Sequence, residues 1–347
     1  MAGFVAHLDA DAFYVNAERV RHPDLVGKPV GVLGNNGACV IAKSYEMKAA
    51  GVKTGTTIWD AKALCPDGVY VKRDFYWYEV LSRKMLDIVG TFSPTVEYYS
   101  IDEFFFRAHP SSPAQSLSED AVAIRDYIRE CAGLPVTIGV ARTRTLAKLF
   151  SDTAKPFGAV AVLTRDHERE RLARLPVTEI SGIAGRRAAR LAPYGIRTCL
   201  DLADADGRLV NKLLTKTGYE LWTELNGVPV TPVRPERTPH KVLARGGSLM
   251  GNVDDQTLLW AWAVRHVERL VEELRYHTVR TASVGVQLAW KDGESTGGTA
   301  SFDAPTDRFD DLLDGTRLAL RRAYMPSGTA THMHVVAPEL RRARGAS

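Results

Sequence analysis

The chain has 347 residues, of which 45% are hydrophobic and 25% charged, and a formal net charge of +4. That length calls for roughly two to four domains, the composition is that of a globular protein, and the lack of any apolar run of about 18 residues excludes a membrane span. Charge is uneven: residues 1–140 carry 14 basic and 17 acidic side chains, residues 141–240 carry 17 and 11, and residues 241–347 carry 14 and 13. An acidic first third beside a basic middle fits a metal site next to a polyanion-binding surface.

In chain order, residues 4–9 read as a buried strand. Lys28–Gly34, which ends in the turn-rich Asn35-Asn36-Gly37, and Ala38–Ala42 read as the two strands of a hairpin. Ser44 is placed to cap a helix over Tyr45–Ala50, which Gly51 stops. Residues 75–90 have helical spacing, and Glu97–Phe106, rich in β-formers between Pro94 and Pro110, reads as a strand. Residues 119–132 read as helix, Leu134–Val140 as strand, Thr143–Asp152 as helix and Gly158–Leu163 as a short strand. This alternation argues for a mixed α/β core.

Residues 166–226 are helix-rich, with breaks expected at Gly182, Gly195, Gly207 and Gly218. Pro229, Pro232, Pro235 and Pro239 then read as a stiff extended linker over 231–240. Beyond it, strand-like Leu243–Leu249, an amphipathic helix over Leu258–Leu274 and the alternating run Ala282–Trp290 come first. A strand through Ser301, a helix over Phe309–Ala323 and a strand over Thr331–Val336 complete a βαββαβ order. Cys39, Cys65, Cys131 and Cys199 form no CxxC pair and read as reduced thiols; no signal-peptide pattern opens the chain, so a cytosolic protein is expected.

Two acidic motifs carry the chemistry. One is Phe4-Val5-Ala6-His7-Leu8-Asp9-Ala10-Asp11-Ala12-Phe13-Tyr14, the other Val96-Glu97-Tyr98-Tyr99-Ser100-Ile101-Asp102-Glu103-Phe104-Phe105-Phe106. A carboxylate inside an apolar run is costly unless a cation or hydrogen bonds compensate it. Mg²⁺ takes a few carboxylates together with substrate phosphates, and a pair of such ions can activate an attacking hydroxyl and steady a leaving oxygen. Only tertiary folding can unite Asp9 with Asp102. Neighbours in a strand point to opposite faces, so Asp102 and Glu103 can serve one metal pair only if the strand ends or turns there. Asp11 has a weaker claim and reads either as a structural acid or as one that supports the metal-binding groups from behind. A strand followed by Asp-x-Asp also suits aspartyl-phosphate phosphohydrolases, but these want a Thr where Phe13 stands, and they leave the Ser-Ile-Asp-Glu segment unexplained.

Leu8–Glu18 and Tyr99–Glu103 resemble the two catalytic motifs of the Y-family (translesion) DNA polymerases, of the UmuC/DinB kind. Val40–Gly55 resembles their fingers motif, Val136–Leu149 and Ala154-Lys155-Pro156 two further palm motifs, and Gly182–Ile196 the helix–hairpin–helix of the thumb. The resemblance implies an α+β multidomain fold, a right-hand polymerase with a ferredoxin-like palm (1–18 and 76–165), small fingers (19–75), a helical thumb (166–230), a linker (231–240) and a βαββαβ little finger (241–347). It implies a template-directed, low-fidelity DNA polymerase using two Mg²⁺, with Mn²⁺ as a substitute. Asp9, Asp102 and Glu103 would be the catalytic metal ligands, helped by the backbone carbonyl of Ala10. Tyr14 would be the steric gate against a ribose 2′-OH. Phe13, Tyr14, Tyr45, Lys48 and Lys155 would contact the incoming dNTP. Gly182, Ala184, Gly185, Arg186, Arg187 and Arg190, with Arg245, Arg280 and Arg341 of the last domain, would hold primer-template DNA.

Some positions depart from the pattern. Many relatives carry Arg where Lys48 stands, which removes a bidentate phosphate clamp. Ala184 replaces the second hairpin glycine. The tail Glu339–Ser347 shows no clamp-binding peptide, which leaves a sliding clamp open as a partner, and Gln256–Trp260 reads as the start of a helix. His332 and His334 share a strand face and lack further metal ligands. A monomer is expected. The competing reading is a catalytically silent, polymerase-like scaffold that binds DNA in the damage response.

Overall fold

The computed structural model describes residues 3–34, 37–110, 116–235 and 240–342. It falls into two compact units, residues 1–237 and 238–347. The first unit opens with β1 (Phe4–Ala10) and α1 (Phe13–Arg21). A small sheet follows, made of β2 (Val30–Leu33), β3 (Val40–Lys43) and, after α2 (Tyr45–Ala49) and α3 (Ile58–Leu64), β4 (Val69–Lys72). β3 pairs antiparallel with β2, as the hairpin pattern predicts; the tip residues Asn35 and Asn36 lie outside the described residues. β4 adds in parallel to the other edge of β2. The four residues of β4 are too few to show a period. Ser44 accepts from the Met47 amide and so caps α2, and Gly51 follows at φ +89°.

The long helix α4 (Phe75–Phe92) leads to β5 (Val96–Tyr98) and β6 (Glu103–Ala108), which are antiparallel. The segment expected as one strand over Glu97–Phe106 is therefore a hairpin. The amides of Tyr99 and Ser100 both donate to the carbonyl of Glu103, which closes the turn. Then come α5 (Leu117–Ala132), β7 (Val136–Ala141), α6 (Arg144–Ala154) and β8 (Ala159–Ala161). The five strands run in the order β5-β6-β1-β7-β8. β1 is antiparallel to both β6 and β7, and only β7 and β8 run parallel.

Period two sorts this sheet into two faces. Ala6, Leu8, Ala10, Phe104, Phe106, Val136, Ile138 and Val140 all sit in one buried apolar cluster with residues of α4 and α5. The opposite face carries His7, Asp9, Glu103, Phe105, Thr137 and Gly139, and α6 packs against it. Gly139 is what lets α6 approach: a Cβ there would meet the carbonyl of Ala147 at 2.4 Å and the amide of Ser151 at 2.5 Å.

The remaining helices of this unit are α7 (Arg165–Arg174), α8 (Gly185–Leu191), α9 (Cys199–Asp204) and α10 (Gly207–Leu225). Their core joins Leu146, Leu149 and Phe150 of α6 to Leu172, Leu191, Leu202 and Leu214. The break expected at Gly207 is found immediately before it, where α9 ends and Asp206 caps α10; the break expected at Gly218 is not, since Gly218 lies buried inside α10 and the kink sits at Thr215 (φ 64°). The first half of the proline segment is pinned down. Glu224 accepts from the amides of Val230 and Thr231, Glu97 accepts from the amide of Arg234, and Val233 is buried. Pro239 lies outside the described residues.

The second unit runs β9 (Leu243–Val253), α11 (Gln256–Tyr276), β10 (Val279–Trp290), β11 (Ser295–Thr306), α12 (Phe309–Ala323) and β12 (Ala330–Ala337), the expected βαββαβ order. Its sheet is antiparallel in the order β11-β10-β12-β9, and an unforeseen short strand, β13 (Leu340–Arg342), pairs with β10. Gln256 opens α11 behind the Asp255 cap and Leu259 is fully buried, so this stretch is helix and core. His332 and His334 are exposed on β12.

Within this unit His266 is buried beside the Trp262 ring, and its Nε2 has no hydrogen-bond partner. Burial, reinforced by Arg269, Arg265 and His334, lowers its pKa from 6.5 to about 4. The unfolded chain therefore binds the proton more readily, and stability is lost as pH falls from about 6.5 to about 4, by about 3 kcal/mol in all. His266→Phe should remove this component. Denaturant unfolding of the full chain at pH 7.5 and pH 4 checks it: the wild type should lose about 3 kcal/mol more than the variant, and equal losses would contradict the assignment.

Candidate functional site

The site forms where β1 ends. Register places Asp9 directly opposite Glu103 on β6 and opposite Thr137 on β7. Directly opposed residues of an antiparallel pair share a face with Cβ atoms about 5 Å apart, so two acids that the sequence separates by 94 positions become neighbours. Asp102 sits at the tip of the β5–β6 hairpin, and its carbonyl accepts from the Ala10 amide at 2.9 Å. This bond ties the tip to the end of β1. The Ser100 hydroxyl donates to Asp102 at 2.7 Å and lies 3.4 Å from Glu103. The turn thus resolves the alternation problem, because Asp102 lies before the strand rather than within it.

Two lysines face these acids. The Lys155 ammonium lies 2.7 Å from Asp9 and 3.2 Å from Asp152. Lys148, on α6, pairs closely with Glu103 and lies 3.4 Å from Asp152. Behind them, His7 is fully buried, with its Nδ1 2.6 Å from the Ser151 hydroxyl and its Nε2 3.5 Å from Glu103.

The acids respond unequally to burial. Desolvation raises the Asp9 carboxyl to about 7; the Lys155 charge opposes the rise, and the Glu103 and Asp102 charges add to it. Desolvation also works on Glu103, but bonds from His7 and Lys148 outweigh it and hold that carboxyl well below the usual range. Burial depresses His7 more than Glu103 raises it. Both ammonium groups are raised despite burial, Lys155 by Asp9 and Lys148 chiefly by Glu103. The acid cluster is thus short of positive charge even with two lysines in contact.

Among the described residues, no three acidic, His or Cys groups converge as a ready-made metal centre. The side chains present nevertheless suit a hard divalent cation: three carboxylates and a backbone carbonyl are oxygen donors, and burial leaves Asp9 seeking a counter-charge. Glu103 is drawn toward Lys148 and His7, so a cation would compete with those partners.

The other residues expected at the nucleotide are placed unevenly. Tyr14 is half-buried on α1, and its ring stacks on Tyr78 with centroids 4.7 Å apart and planes at 17°. Burial raises its hydroxyl, and the Asp102 charge adds to the rise. The Tyr78 hydroxyl in turn donates to Glu18 at 2.7 Å. Phe13, expected at the nucleotide, turns instead into the core and is 3% exposed. The chain enters α1 through Ala12 in a left-handed conformation (φ 43°), and the 3.6-residue repeat of the helix sends the consecutive Phe13 and Tyr14 side chains about 100° apart. Tyr45 faces the acids: burial first, and then the Asp11 charge, push its hydroxyl up to about 12. Lys48 is exposed on α2, near enough to Lys43 that its charge, after burial, lowers the latter.

The DNA-contact candidates fare unevenly. Gly182 adopts φ +93°, and its carbonyl accepts from Arg187 at 2.8 Å; Ala184, Gly185, Arg186 and Arg190 are exposed. In the second unit, Arg245 is engaged by Glu273 and Arg280 by Asp307, while Arg341 is exposed on β13 directly opposite Arg280. Sequence reasoning assigned no role to Lys148, His7 or Tyr78. The signals were there: a lone lysine among Leu146, Ala147, Leu149 and Phe150, and a histidine in phase with Asp9 on an apolar strand. A cleft of about 240 Å³ beside Lys148 is walled by Tyr99, Phe105, Arg144 and Leu221.

Comparison with known proteins identifies the family and the fold. Residues 8–152 match the model of the impB/mucB/samB family, and residues 240–346 match that of its C-terminal domain. The chain is similar to DNA polymerase IV of Bacillus velezensis, 30% identical over 321 residues that cover 90% of this chain and 77% of that one. It is equally similar to DNA polymerase IV 1 of Bacillus subtilis, 30% identical over 313 residues covering 89% and 75%. In fold it resembles a Y-family DNA polymerase chimera of Dbh and Dpo4, with a TM-score of 0.80 over 98% of this chain and 99% of that one at 22% identity. The chain belongs to the impB/mucB/samB family and has the fold of the Y-family DNA polymerases.

Proposed function

We propose that the Asp9, Asp102 and Glu103 cluster is the centre at which this protein joins a deoxynucleotide to a primer. The chain is a template-directed DNA polymerase of the translesion kind, and it binds DNA and dNTP. The observation that carries the site assignment is the register pairing of Asp9 with Glu103, with Asp102 fastened to Ala10 beside them. Residues 1–18 and 76–165 act as palm, 19–75 as fingers, 166–230 as thumb and 241–347 as little finger, with 231–240 between the last two. All three acids are present, which speaks against a catalytically silent scaffold.

In the reaction the primer 3′-oxygen bonds to the α-phosphorus of the dNTP, the bond to the bridging oxygen breaks, pyrophosphate leaves, and the hydroxyl proton passes to water. Asp9, Asp102, Glu103 and the Ala10 carbonyl would hold two divalent cations, Mg²⁺ with Mn²⁺ as substitute. Such ions supply Lewis-acid activation of the hydroxyl and neutralise charge on the phosphates. The chain's own groups do the rest. Lys155, Tyr45 and Lys48 take the triphosphate, the first two with a point charge and a hydroxyl donor. Tyr14, backed by Tyr78, presents its ring where a ribose 2′-oxygen would need space. The Gly182–Arg187 turn and Arg190 bind backbone phosphate without reading sequence. The half-buried Ile41 and Ala42 of β3 would roof the templating base, whereas Val40 is buried in the core beneath them. The protein works as a monomer in the cytosol, at the nucleoid.

Primer extension with a single dNTP tests the centre. Asp102→Ala should lower kcat by about 10³-fold; undiminished extension by the variant would remove the acid cluster from the chemistry. Extension with each dNTP and rNTP tests the gate. The wild type should prefer dNTPs, and Tyr14→Ala should lose at least about tenfold of that preference. An unchanged sugar preference would take Tyr14 out of its role.

A further inference from the structure

Asp11 lies two residues past Asp9, yet it does not open onto the acid cluster. It is 1% exposed, and its carboxylate is surrounded by donors. The Phe157 amide donates to it at 2.7 Å and the Thr137 hydroxyl at 3.1 Å, and the Tyr45 hydroxyl faces it from the small sheet's side, close enough for the two charges to influence each other. Thr137 in turn accepts from the Gly158 amide at 3.2 Å, so the same pair of side chains holds two successive amides of one loop. The other side of that loop is held too. Arg125 and Arg129 lie over the Phe157 ring at 4.4 and 4.6 Å, and Arg125 donates to the Phe157 carbonyl at 3.2 Å. Phe157 itself sits at φ 51°, a conformation that costs a non-glycine residue on the order of 1 kcal/mol and persists only where its surroundings enforce it.

This loop carries Lys155, two residues before Phe157. The other group facing Asp11, Tyr45, carries the second candidate phosphate contact. Both lead back to one buried carboxylate. An apolar residue at position 11 would strand the Phe157 amide and the Thr137 hydroxyl and leave Tyr45 without the carboxylate it faces, and an asparagine would turn its amide toward one of these groups.

We propose that Asp11 is the positioning residue of the nucleotide-binding pair: by anchoring the Phe157 amide and facing the Tyr45 hydroxyl it fixes where Lys155 and Tyr45 stand to receive the triphosphate. The proposal rests on the assignment of Lys155 and Tyr45 to the triphosphate. In the nucleotide-free protein Lys155 rests on Asp9 and Asp152; on binding, the ammonium moves to phosphate while its backbone stays pinned.

The test is steady-state incorporation of one dNTP at saturating primer-template by the full chain, with melting temperatures recorded for every variant. Asp11→Ala should raise the KM for dNTP by about tenfold while kcat falls less than about threefold, the split expected when ground-state positioning is lost. Asp11→Asn should fall between Asp11→Ala and the wild type. In a Tyr45→Phe/Lys155→Ala background, Asp11→Ala should add no more than about twofold, because neighbours acting through one another are not additive. A drop in kcat at constant KM, or the full tenfold effect persisting in that background, would overturn the proposal. Lys155→Ala alone separates the two levels. If it leaves KM unchanged, the triphosphate assignment falls and the proposal falls with it; if it raises KM while Asp11→Ala does not, only the proposal falls. Should Asp11→Ala not fold, Thr137→Val is isosteric and cuts both Thr137 contacts to the anchor. A KM rise of about two- to threefold that vanishes in the double background then supports the proposal, and an unchanged KM overturns it.

Discussion

Three carboxylates at the edge of an apolar sheet pose a charge problem, and much of the first unit is arranged around it. Asp9 is 7% exposed, and burying an anion there is costly unless opposite charge is close. The chain supplies Lys155 from the loop after α6, Lys148 from α6 itself, and His7 from the same strand. Even so the Asp9 carboxyl stays raised, because Glu103 and Asp102 add to the repulsion. A site in this condition favours any further cation brought to it. In the centre we propose, the nucleotide's phosphates would favour the lysines at the same moment, so that metal and substrate would be drawn to one place by complementary deficits and the binding of each would assist the other.

The sheet makes this possible by keeping its two faces chemically apart. One face is apolar and buried under α4 and α5, which fixes strand register firmly: a slip of one residue would turn Asp9 and His7 into the core and Leu8 out of it. The other face is covered by α6, whose close approach at Gly139 brings Lys148 and Ser151 within reach of Glu103 and His7. Register specified by apolar packing on one side therefore sets polar geometry on the other. The same economy holds at Tyr14, whose ring is stacked on a Tyr78 that Glu18 holds from behind.

Much of this was legible in the sequence where pattern and chemistry coincide. The β1 acids, the Ser44 cap, the βαββαβ order of the second unit and the helix over residues 75–90 each leave a local mark in residue type or spacing. The hairpin inside Glu97–Phe106 did not, because its turn, Tyr99-Ser100-Ile101-Asp102, lacks glycine and proline and is closed by amide bonds to the Glu103 carbonyl. The kink in α10 fell at Thr215 rather than at Gly218, since a buried glycine in a helix can serve close packing instead of ending it. Phe13 and Tyr14 stand side by side in the sequence, yet one is buried in the core and the other is half-buried against Tyr78, because successive side chains of a helix such as α1 point about 100° apart. The partners of the acids were the least legible. Ion pairs such as Lys148 with Glu103 span 45 positions and depend on how α6 settles on the sheet, which no local pattern encodes.

The central claim is that Asp9, Asp102 and Glu103 act together as one cation-binding centre that completes itself when nucleotide arrives. Counting bound Mn²⁺ by electron paramagnetic resonance, with primer-template and a non-hydrolysable dNTP analogue present, tests this most directly. The account predicts about two ions per chain in the wild type and the loss of at least one in both Asp9→Asn and Asp102→Asn. The same count in the wild type and in both variants would contradict it.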